Sequence, residues 1–167
     1  TGNERTARAI GAAGDGLHLH RLVPGADTGI AQLPLIEAYS DSLAADATAR
    51  IGVSRSVLPS RDEAEAVRLF EAHLSANPSS LPWVDGSGTT EDALRASGIL
   101  YGPPARIVET LLADPTVARS TDYLFSIPLD PATSAYRDGL ERIAPEIHSH
   151  LPVARRGKSG VRPARIA

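Results

Sequence analysis

Three short strand-like segments, separated by segments of helical pattern, constrain the fold more than any other feature of this sequence. They span residues 16–20, 50–58 and 121–129, and the element order along the chain is α-β-α-β-α-loop-α-β-α. Strands joined by helices pair in parallel, because each helical crossover returns the chain to the same end of the sheet. The sequence therefore predicts an α/β fold. About three parallel strands with flanking helices make a small sheet, which indicates part of a larger (β/α)8 barrel of about 250 residues.

Polar and apolar residues alternate along two of these segments. In the first, His18 and His20 alternate with leucines. In the second, Arg55 shares one face with apolar residues, and the other face carries Gly52, Ser54 and Ser56. In a parallel barrel the apolar face meets the helices. Both histidines are therefore expected to point into the barrel, with His20 near the mouth, where barrel enzymes have their active sites.

Local signals set several predicted helix boundaries. Ser60 followed by Glu63 fits a capping box, which predicts Ser60 as the N-cap of a helix over 62–76. Thr89 or Thr90 is predicted to cap a short helix over 90–97, inside the least regular region, 77–102. Pro145 is expected to kink or interrupt the last helix, over 132–151.

The composition excludes several classes of protein. Apolar residues make up 42% of the 167 residues and charged residues 22%, as in ordinary globular domains. No apolar run reaches the roughly 18 residues of a membrane-spanning helix, and the charges at Glu4, Arg5 and Arg8 do not fit a signal peptide. The lack of cysteine excludes disulfides, a cysteine nucleophile and thiolate metal sites. These features predict a cytoplasmic protein without a membrane partner.

The two ends of the chain carry separate expectations. The sequence opens at Thr1 with a loop leading into a helix and contains no methionine, so we expect an N-terminal part with further strands to precede it. Residues 154–167 hold five basic residues and no acid, whereas the remainder has a net charge of −8. A basic tail is typical either of a nucleic-acid or membrane contact or of a disordered, solubilising terminus. The acidic body favours the second interpretation, with a domain over 1–151, a tail over 152–167 and no nucleic-acid partner.

Four stretches, taken in order, resemble one protein family. Residues 1–19 run from a Gly- and Thr-bearing loop through an Ala-rich helix into an Asp-Gly strand, TGNERTARAIGAAGDGLHL. Residues 50–66 place a strand before an acidic, Ala-rich helix start, RIGVSRSVLPSRDEAEA. Residues 101–111 open a helix with Gly-Pro-Pro, YGPPARIVETL, and the strand YLFSIP at 123–128 precedes a helix containing IAPEI. The set is similar to the luciferase-like flavin monooxygenases, which include bacterial luciferase and deazaflavin-dependent oxidoreductases.

The resemblance implies the C-terminal portion of a TIM barrel, with the last three strands present. It implies an enzyme that oxidises a small organic substrate with O₂ and reduced FMN, with a flavin reductase as the source of the reduced flavin. A deazaflavin (F420)-dependent hydride-transfer oxidoreductase is the first alternative. The second alternative is a non-catalytic barrel fragment that acts as an interaction or oligomerisation module. A homo-oligomer is expected.

The loop over residues 1–6 is the first candidate site. Backbone N–H groups and the helix dipole favour phosphate at a helix N-terminus. The resemblance implies that this loop holds the phosphate of FMN or of a deazaflavin, with contacts from Thr1, Gly2, Asn3 and Thr6. From the residues alone, an ordinary capped helix is the alternative.

The strands supply the remaining candidates. His18 and His20 are candidate acid–base catalysts, and the alternative is that each bonds to neighbouring backbone or to a partner subunit. No metal site is predicted, because no third ligand stands at a suitable spacing. Arg55 is expected to pair either with a carboxylate in a structural salt bridge or with the cofactor phosphate.

Overall fold

A parallel sheet forms the centre of the protein, in a computed structural model that describes residues 2–77 and 88–151. Its four strands within these ranges are β1 (Leu17–Leu19), β2 (Ile51–Pro59), β3 (Ile99–Gly102) and β4 (Asp122–Ser126). The long strand β2 pairs in parallel with each of the other three. The predicted mixed α/β fold is therefore confirmed, with β2 as the organising strand. The predicted basic tail, 152–167, lies outside the described residues.

Six helices flank this sheet in the described ranges: α1 (Glu4–Ala12), α2 (Thr28–Ser40), α3 (Glu63–Ala76), α4 (Thr90–Ala96), α5 (Pro104–Ala113) and α6 (Ser134–His150). Most begin at a residue whose side-chain oxygen accepts a hydrogen bond from the first turn, namely Asn3, Asp27, Asp62, Thr89 and Thr133. Such caps satisfy backbone donors that have no partner inside the helix. Over the same ranges, no helix combines the length and the apolar character needed to cross a bilayer.

The strand register sorts side chains onto two faces of the sheet. Leu17 lies beside Ile51, and Leu19 lies beside Val53. These residues are at most 5% exposed and belong to the core between sheet and helices. Successive side chains of a strand point to opposite faces, so the residues between them lie on the other face. The predicted division of β2 into an apolar face with Arg55 and a face with small polar residues is confirmed.

Tyr39 ties α2 to the start of the sheet. Its side chain is fully buried, and its hydroxyl donates to the Asp15 carbonyl at 3.0 Å. The same hydroxyl accepts a hydrogen bond from the Arg50 backbone N–H at 3.1 Å. One side chain therefore connects α2 to the residues that precede both β1 and β2.

Two local predictions are corrected, and a third is narrowed. Asp62, not Ser60, is the N-cap of α3, because Ser60 continues β2 by donating its backbone N–H to the Gly102 carbonyl at 2.9 Å. The irregular region contains a strand, β3, that the sequence pattern did not predict. Pro145 does not interrupt α6, which continues to His150, and the kink expected there stays a prediction. Pro145 is exposed, so the carbonyl that it leaves without a helical donor can bond to water.

Replacing Tyr39 by phenylalanine is expected to lower the free energy of unfolding by about 1–3 kcal/mol, because the two hydrogen bonds of a buried hydroxyl are lost. Urea denaturation measures the change. Tyr123→Phe is the matched control, because the Tyr123 hydroxyl makes one hydrogen bond, to the Val117 carbonyl, and is less buried. Equal effects of the two substitutions would contradict the role of Tyr39.

Candidate functional site

One face of the sheet carries a group of small polar side chains. We call it the polar face, and its members, one face of β1, β2 and β4, are His18, Gly52, Ser54, Ser56, Asp122, Leu124 and Ser126. The Ser56 and Ser126 hydroxyls are 3.0 Å apart, which shows that these side chains meet across two strands. Leu124 is 58% exposed in the middle of β4. The polar face is therefore partly open, in contrast to the buried face that meets the helices.

His18 belongs to β1, and on the polar face its side chain contacts the neighbouring central strand, β2. Its Nε2 is 2.9 Å from the Ser54 hydroxyl oxygen. A Cβ atom placed on Gly52 would lie 2.8 Å from the His18 Nδ1, so the ring occupies space that any other residue at position 52 would need. His18 is exposed, whereas Ser54 is 9% exposed. The ring is thus accessible from solvent and oriented by a nearly buried hydroxyl.

His20 occupies a different environment, one residue beyond the end of β1. Its ring is exposed, and Nδ1 lies 3.3 Å from the Leu22 carbonyl oxygen in the following loop. Its own backbone carbonyl accepts a hydrogen bond from the Gln32 side chain. The contacts of His20 are therefore with its own loop and with α2, whereas His18 contacts the central strand.

The loop before α1 is a capped helix start. The Asn3 side chain accepts a hydrogen bond from the Thr6 backbone N–H at 2.9 Å, so this donor already has a protein partner. Gly2 is exposed, and a Cβ atom there would meet open space. A turn at residues 13–16 joins α1 to β1 and reverses the chain, which places the α1 N-terminus toward the end of the sheet where His20 lies. Thr1 lies outside the described residues.

Charge at this helix start comes from Glu4. Its carboxylate is exposed and lies 3.9 Å from the Arg8 guanidinium, one turn along α1. A carboxylate in the first turn stabilises the helix through its dipole, but it also competes with a phosphate for the same positive end. The donors that remain for an anion are the backbone N–H groups of the first turn other than that of Thr6.

Arg55 is buried on the helix-facing side of β2, at 5% exposure. Its Nε donates to an Asp114 carboxylate oxygen at 2.8 Å, and one terminal nitrogen lies 2.6 Å from the same oxygen. The remaining N–H groups are directed at the Thr116 hydroxyl, the Gln32 amide oxygen and the Ser54 carbonyl. All five N–H groups of this guanidinium therefore have acceptors within the protein.

This Arg55 network connects distant parts of the chain. Gln32 receives Arg55 on its oxygen and donates from its nitrogen to the His20 carbonyl, which links β2 to the end of β1. Glycine at position 29 leaves space for the Asp114 side chain, because a Cβ atom there would lie 2.6 Å from the Asp114 Oδ1. Of the two partners expected for Arg55, the structure contains the carboxylate. Binding of a cofactor phosphate by Arg55 stays a prediction.

A groove of about 310 Å³ lies beside β3, away from the predicted site residues. Arg95 and Arg106 line it, together with Tyr101. The neighbouring charge of the Tyr101 phenol raises the pKa of Arg95, and the Glu91 and Asp92 carboxylates act in the same direction. Each arginine is already paired, Arg95 with Glu91 at 2.9 Å and Arg106 with Glu63 at 2.6 Å. The groove therefore offers no excess positive charge to an anion.

Metal ligands do not converge in the ranges 2–77 and 88–151, where no group of three or more His, Asp or Glu side chains is placed to hold an ion. Comparison with models of known protein families finds no match, and comparison with curated proteins finds none. The chemistry of this protein must therefore be argued from its geometry. The sequence pattern singled out His18 and placed Ser54 on the polar side of β2, but it did not predict the contact between them.

Replacing Asp114 by alanine is expected to destabilise the fold by about 3–5 kcal/mol, because it leaves the Arg55 charge buried without its carboxylate. Chemical denaturation monitored by circular dichroism measures the loss. Arg106→Ala is the control, because it removes an ion pair whose arginine side chain is 70% exposed, and such pairs contribute about 0–1 kcal/mol. An Asp114→Ala variant no less stable than the control would refute the buried network as a stabilising element.

Proposed function

We propose that this chain is the C-terminal portion of a luciferase-like (β/α)8 barrel that acts in the oxidation of a small organic substrate by O₂ and reduced FMN in the cytoplasm. A flavin reductase supplies the reduced flavin. The observation that carries the proposal is the polar face of the parallel sheet, opposite the buried face that packs on the helices. In barrel enzymes this division separates the interior from the helical shell.

Cofactor binding is assigned to the start of α1. Gly2 allows close approach of a phosphate, and Asn3 and Thr6 with Thr1 complete the loop. Free backbone N–H groups and the helix dipole would hold the anion. The bound flavin supplies the oxygen chemistry, whereas the chain binds it, orients it and excludes water.

Proton handling is assigned to the two histidines. His18 presents an exposed ring on the polar face, with its orientation set by Ser54 and by the space over Gly52. His20 lies at the carboxyl end of β1, where the α1 N-terminus also lies. Arg55 acts on this region through Gln32, whose amide holds the His20 carbonyl. In this proposal Arg55 fixes the strand end that faces the cofactor.

The phosphate assignment predicts that FMN binds more tightly than riboflavin, which has the same ring system without the phosphate. We expect a difference of about tenfold or more, as for loss of a charge-assisted hydrogen-bonded anion site. Anaerobic titration of reduced FMN and reduced riboflavin, followed by flavin absorbance, measures both affinities. The same titration with F420 and with its phosphate-free chromophore tests the deazaflavin alternative. Binding of none of these compounds would contradict both forms of the proposal.

Leu124 favours a second candidate function, the interaction or oligomerisation module. A leucine that is 58% exposed at the centre of a strand leaves apolar surface in water on a face of a sheet. A second copy of the chain that covers the polar face would bury it, as expected for a homo-oligomer.

Replacing Leu124 by serine is expected to weaken self-association by about tenfold or more, because each buried leucine contributes about 1.5–3 kcal/mol. Sedimentation equilibrium over a range of protein concentrations measures the change. Leu112→Ser is the matched control, since Leu112 is 49% exposed but lies on α5. A protein that is monomeric at all concentrations would rule out the homo-oligomer.

A further inference from the structure

We propose that Ser54, His18 and Asp122 form a nucleophilic site on the polar face that hydrolyses small carboxylic esters by acyl transfer. This activity needs no flavin and goes beyond the function proposed above, although both use His18. A serine hydroxyl becomes an effective nucleophile when a base lies within hydrogen-bond distance and a third group orients that base. Both requirements have a counterpart in the described residues.

The first counterpart is the contact between serine and histidine. Ser54 Oγ and His18 Nε2 are 2.9 Å apart, within the range for direct proton transfer. With Nε2 unprotonated, the hydroxyl donates to the ring, which is the arrangement that activates a serine. The His18 ring is exposed on the polar face, whereas Ser54 is 9% exposed, so the ester must reach a hydroxyl that is nearly buried.

The second counterpart is a carboxylate in the same row. His18, Gly52 and Asp122 are register partners across β1, β2 and β4, so all three lie side by side on the polar face. Gly52 has no side chain between the other two, and the His18 Nδ1 occupies that space. The Nδ1 edge of the ring is therefore directed over the strand that separates it from Asp122.

The position of the carboxylate is fixed by the start of β4. The Thr121 hydroxyl donates to an Asp122 carboxylate oxygen at 2.9 Å. The same hydroxyl oxygen accepts the Ile51 backbone N–H at 2.9 Å. The Asp122 carboxylate is thus held beside the backbone that leads into Gly52, on the side toward His18. In this proposal the carboxylate is the third group, which orients the imidazole.

The reaction follows from these positions. Ser54 Oγ attacks the ester carbonyl carbon while its proton moves to His18 Nε2. The tetrahedral adduct collapses, the alcohol leaves with that proton, and Ser54 retains the acyl group. Water then attacks the acyl carbon, again giving a proton to Nε2, and the acid departs as this proton returns to Ser54. The Ser56 and Ser126 hydroxyls, on the same face, are candidate donors for the oxyanion.

A fluorophosphonate probe and p-nitrophenyl acetate test the site on the intact chain. We expect one probe molecule per chain, attached to Ser54 as located by peptide mass spectrometry, and hydrolysis of the ester that the probe abolishes. His18→Gln should slow labelling by about 100-fold or more, the usual contribution of a general base. Asp122→Asn should slow it less. Ser40→Ala, at a serine of α2 that bonds to the Ile36 carbonyl, should label like the wild type.

Two results would overturn the proposal: a folded wild-type chain that remains unlabelled at Ser54, or labelling that His18→Gln leaves unchanged. Circular dichroism of each variant shows whether the fold is kept, and the wild-type result decides the matter if a variant does not fold. The labelling experiment contains no flavin, so a negative result would not bear on the prediction that FMN binds more tightly than riboflavin. Equally, a chain that binds no flavin can still label at Ser54.

Discussion

The positive charge of Arg55 in the layer between sheet and helices is the constraint on which the rest of the structure depends. A buried guanidinium is tolerated only when its charge is paired and its donors are bonded. Asp114 and Thr116, from the segment after α5, and Gln32, from α2, meet that requirement. Folding therefore has to bring the segment after α5, the body of α2 and the middle of β2 together at once. The end of β1 follows, because Gln32 also holds the His20 carbonyl.

The buried charge also helps to fix the polar face, on the opposite side of β2. With one face of the strand fixed by a buried charge and by close apolar packing, the polar face is held at a defined register. His18 can then meet Ser54 at hydrogen-bond distance although the two residues are 36 positions apart. Rigid strands position reactive groups more precisely than loops do, which makes the polar face well suited to proton transfer.

Patterns of short range were sufficient to predict much of this architecture. The alternation of leucine with histidine in β1, and of apolar with small polar residues in β2, predicted both faces of the sheet. The start of a helix was harder to predict where two capping residues lie close together. Ser60 and Asp62 are both capping residues, and the choice between them depends on how far β2 extends along β3. The strand β3 escaped prediction because it is four residues long and its pairing partner lies elsewhere in the sequence.

Contacts between distant residues were beyond the sequence pattern. Arg55 was expected to pair with a carboxylate, but Asp114 lies 59 positions away and follows a helix whose packing alone decides where it arrives. The need for glycine at position 52 could not be predicted either, because it comes from the His18 ring on a neighbouring strand. A single sequence indicates which residue types lie on a face, whereas their partners are fixed by register and by side-chain packing.

Gly29 has a consequence for engineering the stability of this protein. Glycine within a helix costs about 1 kcal/mol relative to alanine, so the first turn of α2 invites replacement by a better helix former. At position 29, alanine is instead expected to lower the stability, because its methyl group would displace Asp114 from Arg55. A propensity-based redesign of α2 would thus weaken a strand in another part of the chain, and thermostabilising substitutions should be sought on helices that do not touch the buried charge.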